Sequence, residues 1–165
     1  MSAEVLDLAT QRNLLAGEIV RAFGQMQLRV TGSSMIPTLW PGDLVRIERR
    51  AFESLNPGEI VFYLRDGRLF LHRLVASRET SRERSLTTRG DAMAADDPSV
   101  PENSFLGVAT AVRRRGEWIQ PRGVHRLFRW VLASSPLMQQ IILRVHSWWE
   151  GQPKAPLVET IPAKG

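Results

Sequence analysis

The chain has 165 residues, of which 43% are hydrophobic and 24% are charged, a composition typical of one folded domain with appendages. It contains no cysteine, which excludes disulfides, zinc–thiolate sites, iron–sulfur ligation and thiol catalysis. The formal net charge of +5 favours an anionic partner but does not choose between nucleic acid and a phospholipid surface.

The N-terminal segment, residues 1–24, has the periodicity of an amphipathic helix that ends at Gly24. Glu4 and Asp7 stand where an export signal would be positively charged, so we identify no signal peptide. We expect the helix to pack against a core and not to span a membrane. The apolar positions of the helix are Val5, Leu8, Leu15, Ile19 and Phe23.

Over residues 25–121 the hydrophobic period changes to two, and short β-rich runs alternate with turn residues. This rhythm predicts a mainly β core, a small and mostly antiparallel sheet system, and Asp66-Gly67 predicts a tight hairpin within it. The predicted strands are Gln27–Val30, Asp43–Ile47, Glu59–Leu64, Arg68–Ala76, Ser85–Thr88, Gly107–Arg113 and Trp118–Gln120.

The helical period returns in residues 122–150, which predicts a kinked pair of C-terminal helices. The most apolar part, Leu127–Val145, contains arginines, glutamines and a proline and is too polar to span a bilayer. Packing against the sheet and peripheral contact with a membrane surface both stay open for these helices. Residues 151–165, rich in proline and small residues, predict a disordered tail. The expected location is therefore cytoplasmic or peripheral to a membrane.

Two adjacent serines, Ser33 and Ser34, lie in the stretch TGSSMIPTL at the predicted exit from the first strand. A serine hydroxyl becomes a useful nucleophile only when a base takes its proton and donors hold the developing oxyanion. The candidate bases are the histidines His72, His125 and His146, because both lysines fall in the predicted tail. His72 lies inside a predicted strand, where a lone histidine is more often a core residue than a catalyst.

A loop with three carboxylates follows the predicted strand Ser85–Thr88. Asp91, Asp96 and Asp97 lie in GDAMAADDP, where a carboxylate could orient a histidine by accepting its second ring hydrogen. The same residues are also ordinary turn chemistry, and their spacing does not fit a calcium-binding EF-hand loop. From the residues alone, both interpretations stay open.

Taken together and in order, these stretches resemble the signal peptidase I and LexA-type serine peptidase superfamily. GSSMIPTL resembles the family's nucleophile box, and PGDLV and PGEIV are similar to the two boxes that follow it. LHRLV carries the His-Arg pair of the endoplasmic-reticulum and archaeal type, and GDAMAADD is similar to the acidic box of that group. The similarity covers roughly Val30–Ala111.

The resemblance implies a sheet or partly open barrel of the signal peptidase/LexA type and a serine endopeptidase that cleaves an extended peptide through an acyl-enzyme. Small residues would precede the cut, and no metal or cofactor is implied. Ser34 corresponds to the serine that attacks and His72 to the base. The chemistry agrees, because an imidazole with an unperturbed pKa of about 6.5 is largely neutral at pH 7 and can accept the serine proton.

The remaining site residues are assigned supporting roles. Asp97 is the expected carboxylate that fixes the histidine tautomer, with Asp96 as the alternative, and Asp91 is expected to shape the loop. The Ser34 backbone N–H is the expected oxyanion donor, with Ser33 or Gly32 contributing nearby. Gly32 is expected to supply unusual backbone angles.

Two features depart from the family pattern. Most signal peptidases of this family have an N-terminal membrane anchor, for which residues 1–24 have too few apolar residues. Ala92 and Met93 stand where the acidic box of the family has asparagines. These differences favour a soluble or peripherally attached processing peptidase that acts on a peptide or protein, with an oligomeric state that the sequence does not define.

Two other classes of function stay open. A catalytically inactive protein of the same fold could bind an extended peptide at a sheet edge without cutting it. A dense group of basic residues could contact phosphates: Arg113, Arg114, Arg115, Arg122, Arg126 and Arg129. No helix-turn-helix, zinc module or RNA-binding aromatic signature accompanies them, so we expect no nucleic-acid partner.

Overall fold

The computed structural model of the protein describes residues 2–80, 83–114 and 116–121. The predicted C-terminal helices at 122–150 and the predicted tail at 151–165 lie outside the described residues, and so do His125 and His146.

The described residues form one helix, eight strands and two short 3-10 helices. The elements are α1 (Ser2–Phe23), β1 (Gln25–Arg29), β2 (Leu44–Glu48), β3 (Ile60–Arg65), β4 (Arg68–Glu79), β5 (Arg84–Arg89), β6 (Val100–Pro101), β7 (Phe105–Arg114) and β8 (Glu117–Ile119), with 3-10 helices at Phe52–Ser54 and Glu102–Ser104. The strands belong to a single sheet in the order β1-β2-β7-β3-β4-β5-β6, with β8 added to β7, and every pairing is antiparallel. The prediction of a mainly β fold is therefore confirmed, and the sheet does not close into a barrel.

Hydrophobic clusters cover both faces of the central strands. Because side chains alternate along a strand, Phe62 of β3 belongs to the cluster under α1, whereas Val61 and Tyr63 belong to the cluster on the opposite face. All three side chains are fully buried. A strand covered on both faces provides a rigid frame, and the first half of β4, Arg68–Arg73, which includes His72, pairs with the whole of β3.

Helix α1 packs on the sheet as predicted, but of the predicted apolar positions whose side chains are described only Ile19 packs against the core. Ala16 and Val20 are buried, whereas Leu15 is 61% exposed and Phe23 is 75% exposed. Gly17 faces the Leu106 side chain of the sheet, where a Cβ atom would make an ordinary van der Waals contact at 3.5 Å. Within the described part of the chain, no helix has the length and apolar character that crossing a bilayer requires.

The hairpin between β3 and β4 has the turn that its sequence predicts. Asp66 and Gly67 both adopt positive φ angles, 51° and 69°, as a two-residue type I′ turn requires. The Asn13 side chain donates a hydrogen bond of 2.8 Å to the Gly67 carbonyl oxygen. Helix α1 therefore holds the tip of the hairpin in position.

Gly107 lies where β7 closely approaches β2, so a larger residue at this position should destabilise the fold. A Cβ atom on Gly107 of β7 would lie 2.6 Å from the carbonyl oxygen of Glu48 on β2. We expect Gly107→Ala to lower the free energy of unfolding by about 1–3 kcal/mol, because the strands must separate to admit the methyl group. Urea denaturation measures the change.

Gly32→Ala provides the matched control, because a Cβ atom on Gly32 would have no heavy atom within 4 Å. The control is expected to stay within about 0.5 kcal/mol of the parent protein. Equal stability of the two variants would contradict this description of the strand packing.

Candidate active site

Ser34 lies in a tight turn between β1 and β2 that buried side chains hold in place. Met35 and Leu39 are buried in the core, and the Leu39 backbone N–H donates to the Met35 carbonyl oxygen at 2.9 Å. The peptide bond between Ile36 and Pro37 is cis. Met35 and Leu39 thus anchor the turn in the core, and the Ser34 side chain lines a cleft at the surface.

His72 lies on β4 directly opposite Val61 of β3 and is only 5% exposed. Its imidazole ring meets the rings of Phe70 and Tyr63 edge to face, with centroid distances of 5.7 Å and 6.3 Å. The Tyr63 and Phe70 rings are stacked on each other with centroids 5.4 Å apart, so together they cover one side of the imidazole and limit its rotation. The strand and the aromatic rings therefore determine where each ring nitrogen lies.

Both ring nitrogens of His72 contact the residues that the sequence suggests. Nε2 lies 2.9 Å from Ser34 Oγ, and Nδ1 lies 2.6 Å from Asp97 Oδ2. Because an ionised carboxylate can only accept, the proton belongs on Nδ1, and the free Nε2 then accepts from the serine hydroxyl. Three segments far apart in the chain thus meet in a serine–histidine–aspartate arrangement.

The Asp97 carboxylate has two further hydrogen-bond donors that sequence reasoning did not identify. Thr88 Oγ1 donates to Oδ2 at 2.7 Å, and the Tyr63 hydroxyl donates to the same oxygen at 3.3 Å. Burial raises the pKa of Tyr63 to about 12, with a further contribution from the Asp97 charge. Tyr63 therefore keeps its hydroxyl proton at neutral pH and remains a donor.

Asp96, the alternative partner for His72, points elsewhere. The Asp97 backbone N–H donates to the Thr88 carbonyl oxygen at 2.8 Å, which holds this residue beside β5 with its side chain towards His72. The Asp96 carboxylate instead pairs with Arg89 at 2.6 Å on the surface. The contact with His72 is thus made by Asp97 and not by Asp96.

Asp91 forms a buried ion pair with Arg73, the residue after His72. Arg73 Nε donates to one carboxylate oxygen at 2.7 Å and Arg73 Nη2 to the other at 2.6 Å, and the side chains are 4% and 1% exposed. Thr38 Oγ1 donates to the same carboxylate at 2.5 Å, and Arg73 Nη1 donates to the Gly58 carbonyl oxygen at 2.6 Å. This network joins β4, the acidic loop and the turn that carries Ser34.

The acidic loop also contacts the Ser34 turn directly. The Ala92 backbone N–H donates to the Ser34 carbonyl oxygen at 2.9 Å. A Cβ atom on Gly90 would lie 2.7 Å from that same oxygen, so a larger residue would separate the two segments. The glycine of the Gly-Asp pair is therefore part of the site, a role that the sequence comparison did not give it.

Of the two residues before Ser34, Gly32 does not have the backbone conformation that was expected. Gly32 does not adopt a positive φ angle, so it is not required there for unusual backbone angles. A Cβ atom would meet nothing within 4 Å, and Gly32 lines the cleft, so the missing side chain leaves space beside Ser34. The Ser33 carbonyl oxygen accepts from Ile36, whereas the Ser34 backbone N–H makes no hydrogen bond to any residue that the structure describes.

Part of the basic stretch is already paired within the fold. Arg114 donates from Nε to Asp43 at 3.1 Å and from Nη2 to the Thr38 carbonyl oxygen at 3.1 Å. The hydrogen bond to Asp43 raises the pKa of the Arg114 guanidinium. Arg114 thus supports the Ser34 turn, whereas Arg115, Arg122 and Arg126 lie outside the described residues.

Ser34 and His72 open into a cleft with a volume of about 600 Å³. One wall is β4 from Arg68 to His72, and another is the chain from Leu28 to Gly32 at the end of β1. Within the described ranges, no group of three histidine, aspartate or glutamate side chains could hold a metal ion. The size of the cleft fits a ligand of several residues.

Comparison with known proteins gives one family match. Residues 7–83 match the family described as Peptidase S24-like, which supports placing the chain in the S24/LexA-like peptidase superfamily and supports a peptidase fold. The matched segment includes Ser34 and His72 but ends before Asp91 and Asp97. No curated protein matches the chain.

The buried ion pair at the base of the site generates a stability prediction. Asp91→Asn should lower the free energy of unfolding by about 3–5 kcal/mol, because it leaves the buried Arg73 guanidinium without a counter-charge. The matched control, Asp96→Asn, breaks an exposed pair and should cost less than about 1 kcal/mol. Urea denaturation at neutral pH compares the two, and an Asp91→Asn protein as stable as the control would contradict the assignment.

Proposed function

We propose that this protein is a serine endopeptidase of the signal peptidase type, with Ser34 as nucleophile, His72 as general base and Asp97 as the residue that orients the base. The observation that carries the proposal is the pair of contacts made by one imidazole, 2.9 Å to Ser34 Oγ and 2.6 Å to Asp97 Oδ2. Both distances are within hydrogen-bonding range, as proton transfer to a base requires.

In the proposed reaction, Ser34 Oγ attacks the carbonyl carbon of the peptide bond while its proton passes to His72 Nε2. The tetrahedral intermediate collapses, the C–N bond breaks, and His72 gives that proton to the leaving amine. Water then attacks the acyl-enzyme ester with His72 again as base, and the released acid leaves Ser34 protonated as before. Asp97 stabilises the imidazolium that forms in each half of the reaction.

The oxyanion of the intermediate needs donors that are free before the substrate binds. We assign this role to the Ser34 backbone N–H, which makes no hydrogen bond to any described residue. Gly32 supports it by leaving space beside Ser34, since no described heavy atom would lie within 4 Å of its Cβ position.

The substrate in this proposal is an extended peptide segment with small residues before the cut. Strand β1 pairs only with β2 in the described sheet, and the residues from Leu28 to Gly32 line the cleft. A peptide in extended conformation can add to such an edge through main-chain hydrogen bonds.

Cleavage of an unbiased peptide library, read by mass spectrometry, tests the proposed reaction. Ser34→Ala and His72→Ala should each lower the rate of cleavage at least about 1,000-fold, because removing either member of a Ser–His pair abolishes the nucleophilic route. Asp97→Asn should also reduce the rate strongly, since an amide can hold His72 in the wrong tautomer.

Lys154→Ala is the control for a lysine base and should retain full activity. Cleavage that persists in both Ser34→Ala and His72→Ala would contradict the mechanism. Failure of the parent protein to cut any peptide would instead favour an inactive peptide-binding protein of the same fold.

A further inference from the structure

The cleft has an arrangement of charge that the proposed reaction does not use. Among the described residues, its lining includes three arginines, Arg29, Arg65 and Arg68, but only one carboxylate, Asp97. The Asp97 carboxylate is occupied by His72, Thr88 and Tyr63. The cleft therefore carries uncompensated positive charge, which attracts anionic ligands.

Arg65 and Arg68 lie together at the end of the cleft remote from Ser34. They are direct Cα partners at the tip of the β3–β4 hairpin. Residues opposite each other in an antiparallel pair share a face, so both lie on the same face as the Tyr63–Phe70 and Val61–His72 pairs. A continuous row thus runs along β4 from the candidate base, through Phe70, to the two arginines.

The Arg65 guanidinium keeps hydrogen-bonding capacity that the fold does not satisfy. It lies over the Phe70 ring, 4.7 Å from the centroid, and Nη1 is buried without a hydrogen-bond partner. Its nearest described carboxylate, Asp66, is 3.9 Å from Nε and its side chain is 89% exposed. A buried donor without a partner needs an explanation. The Asp66 carboxylate is distant and exposed, so it compensates the Arg65 charge only weakly.

Arg68 adds a second positive charge at the same place. Its side chain is exposed, and no hydrogen bond or ion pair joins it to any residue in the described ranges. Two guanidinium groups on one face can bind a carboxylate through charge-assisted hydrogen bonds.

We propose that Arg65 and Arg68 bind a carboxylate of the peptide in the cleft, so that preferred peptides carry an acidic group at a fixed distance from Ser34. Arg68 lies four positions from His72 along β4, roughly 13 Å at the rise of an extended strand. An extended peptide that follows β4 would therefore carry the carboxylate about four residues from the bond that is cut. An aspartate or glutamate side chain or the C-terminal α-carboxylate would supply it. The effect of this carboxylate on cleavage rests on the proposed peptidase function.

The test compares matched peptides built on a sequence that the library identifies. Glutamate, glutamine or lysine is placed at each position on either side of the cut, and each peptide is made with a free and with an amidated C-terminus. We expect glutamate about four residues from the cut to raise kcat/KM at least about tenfold over glutamine, which corresponds to about 1.4 kcal/mol. An effect of the free C-terminus alone would identify the α-carboxylate as the group that is bound.

Variants of the hairpin tip connect the preference with the two arginines. Arg65→Gln and Arg68→Gln should each reduce the preference for glutamate, and Arg68→Glu should shift it towards lysine. Arg78→Gln is the matched control, because it removes one exposed arginine from β4 outside the cleft. A preference for glutamate that survives in both Arg65→Gln and Arg68→Glu would overturn the inference, as would cleavage without any preference for an acidic group.

A binding experiment separates this inference from the proposed function. Ser34→Ala protein is mixed with the same peptide library, and the retained peptides are sequenced by mass spectrometry. One outcome is that the parent protein cuts no peptide, while Ser34→Ala enriches acidic peptides and Ser34→Ala/Arg68→Glu does not. In that case the proposed function fails and the carboxylate site stands. If acidic peptides are not enriched and cleavage does not depend on an acidic group either, the carboxylate site is refuted.

Discussion

The buried ion pair between Arg73 and Asp91 is the constraint on which the candidate site depends. Arg73 directly follows His72, Asp91 begins the loop that carries Asp97, and Thr38, which donates to the Asp91 carboxylate, lies in the turn that carries Ser34. Burying two charges costs several kcal/mol per ion unless hydrogen bonds compensate. Here the Asp91 carboxylate accepts three hydrogen bonds and the Arg73 guanidinium donates four. Because these bonds come from three segments of the chain, they can form only when the segments lie together.

The rest of the fold fixes the orientation of the reacting groups within that frame. Strand β3 is buried on both faces and aligns β4, so that His72 lies against the stacked rings of Tyr63 and Phe70 with little freedom to turn. Thr88 and Tyr63 hold the Asp97 carboxylate, and the acidic loop packs against the Ser34 carbonyl oxygen. The same hairpin face continues past Phe70 to Arg65 and Arg68. The proposed chemistry and the proposed selectivity therefore share one structural element.

The mainly β fold could be predicted from the sequence because its signals are local. Alternating hydrophobicity located the longer strands, and Asp66-Gly67 identified the hairpin. Strand β6, Val100–Pro101, is too short for alternation to appear. The buried face of α1 was assigned only in part, correctly for Ile19 and wrongly for Leu15 and Phe23, because periodicity gave no weight to the small residue Ala16, which is buried there.

The residues of the candidate site were only partly predictable for a related reason. The motifs suggested Ser34, His72 and Asp97, whose contact the structure describes, but the choice between Asp96 and Asp97 depended on a backbone hydrogen bond to Thr88. Thr88 and Tyr63 are ordinary strand residues in the sequence, and only the pairing of β3, β4 and β5 brings them to the carboxylate. That Arg65 Nη1 is buried without a hydrogen-bond partner likewise becomes visible only when its surroundings are known.

The most direct test of the central claim is the tautomer of neutral His72, measured by nitrogen-15 NMR of the imidazole ring. The two hydrogen bonds of His72 require the proton on Nδ1, donated to Asp97, and a bare Nε2 that accepts from Ser34. We expect this tautomer in the parent protein and a change towards the Nε2–H form in Asp97→Asn. A parent protein whose neutral His72 carries its proton on Nε2 would contradict the account.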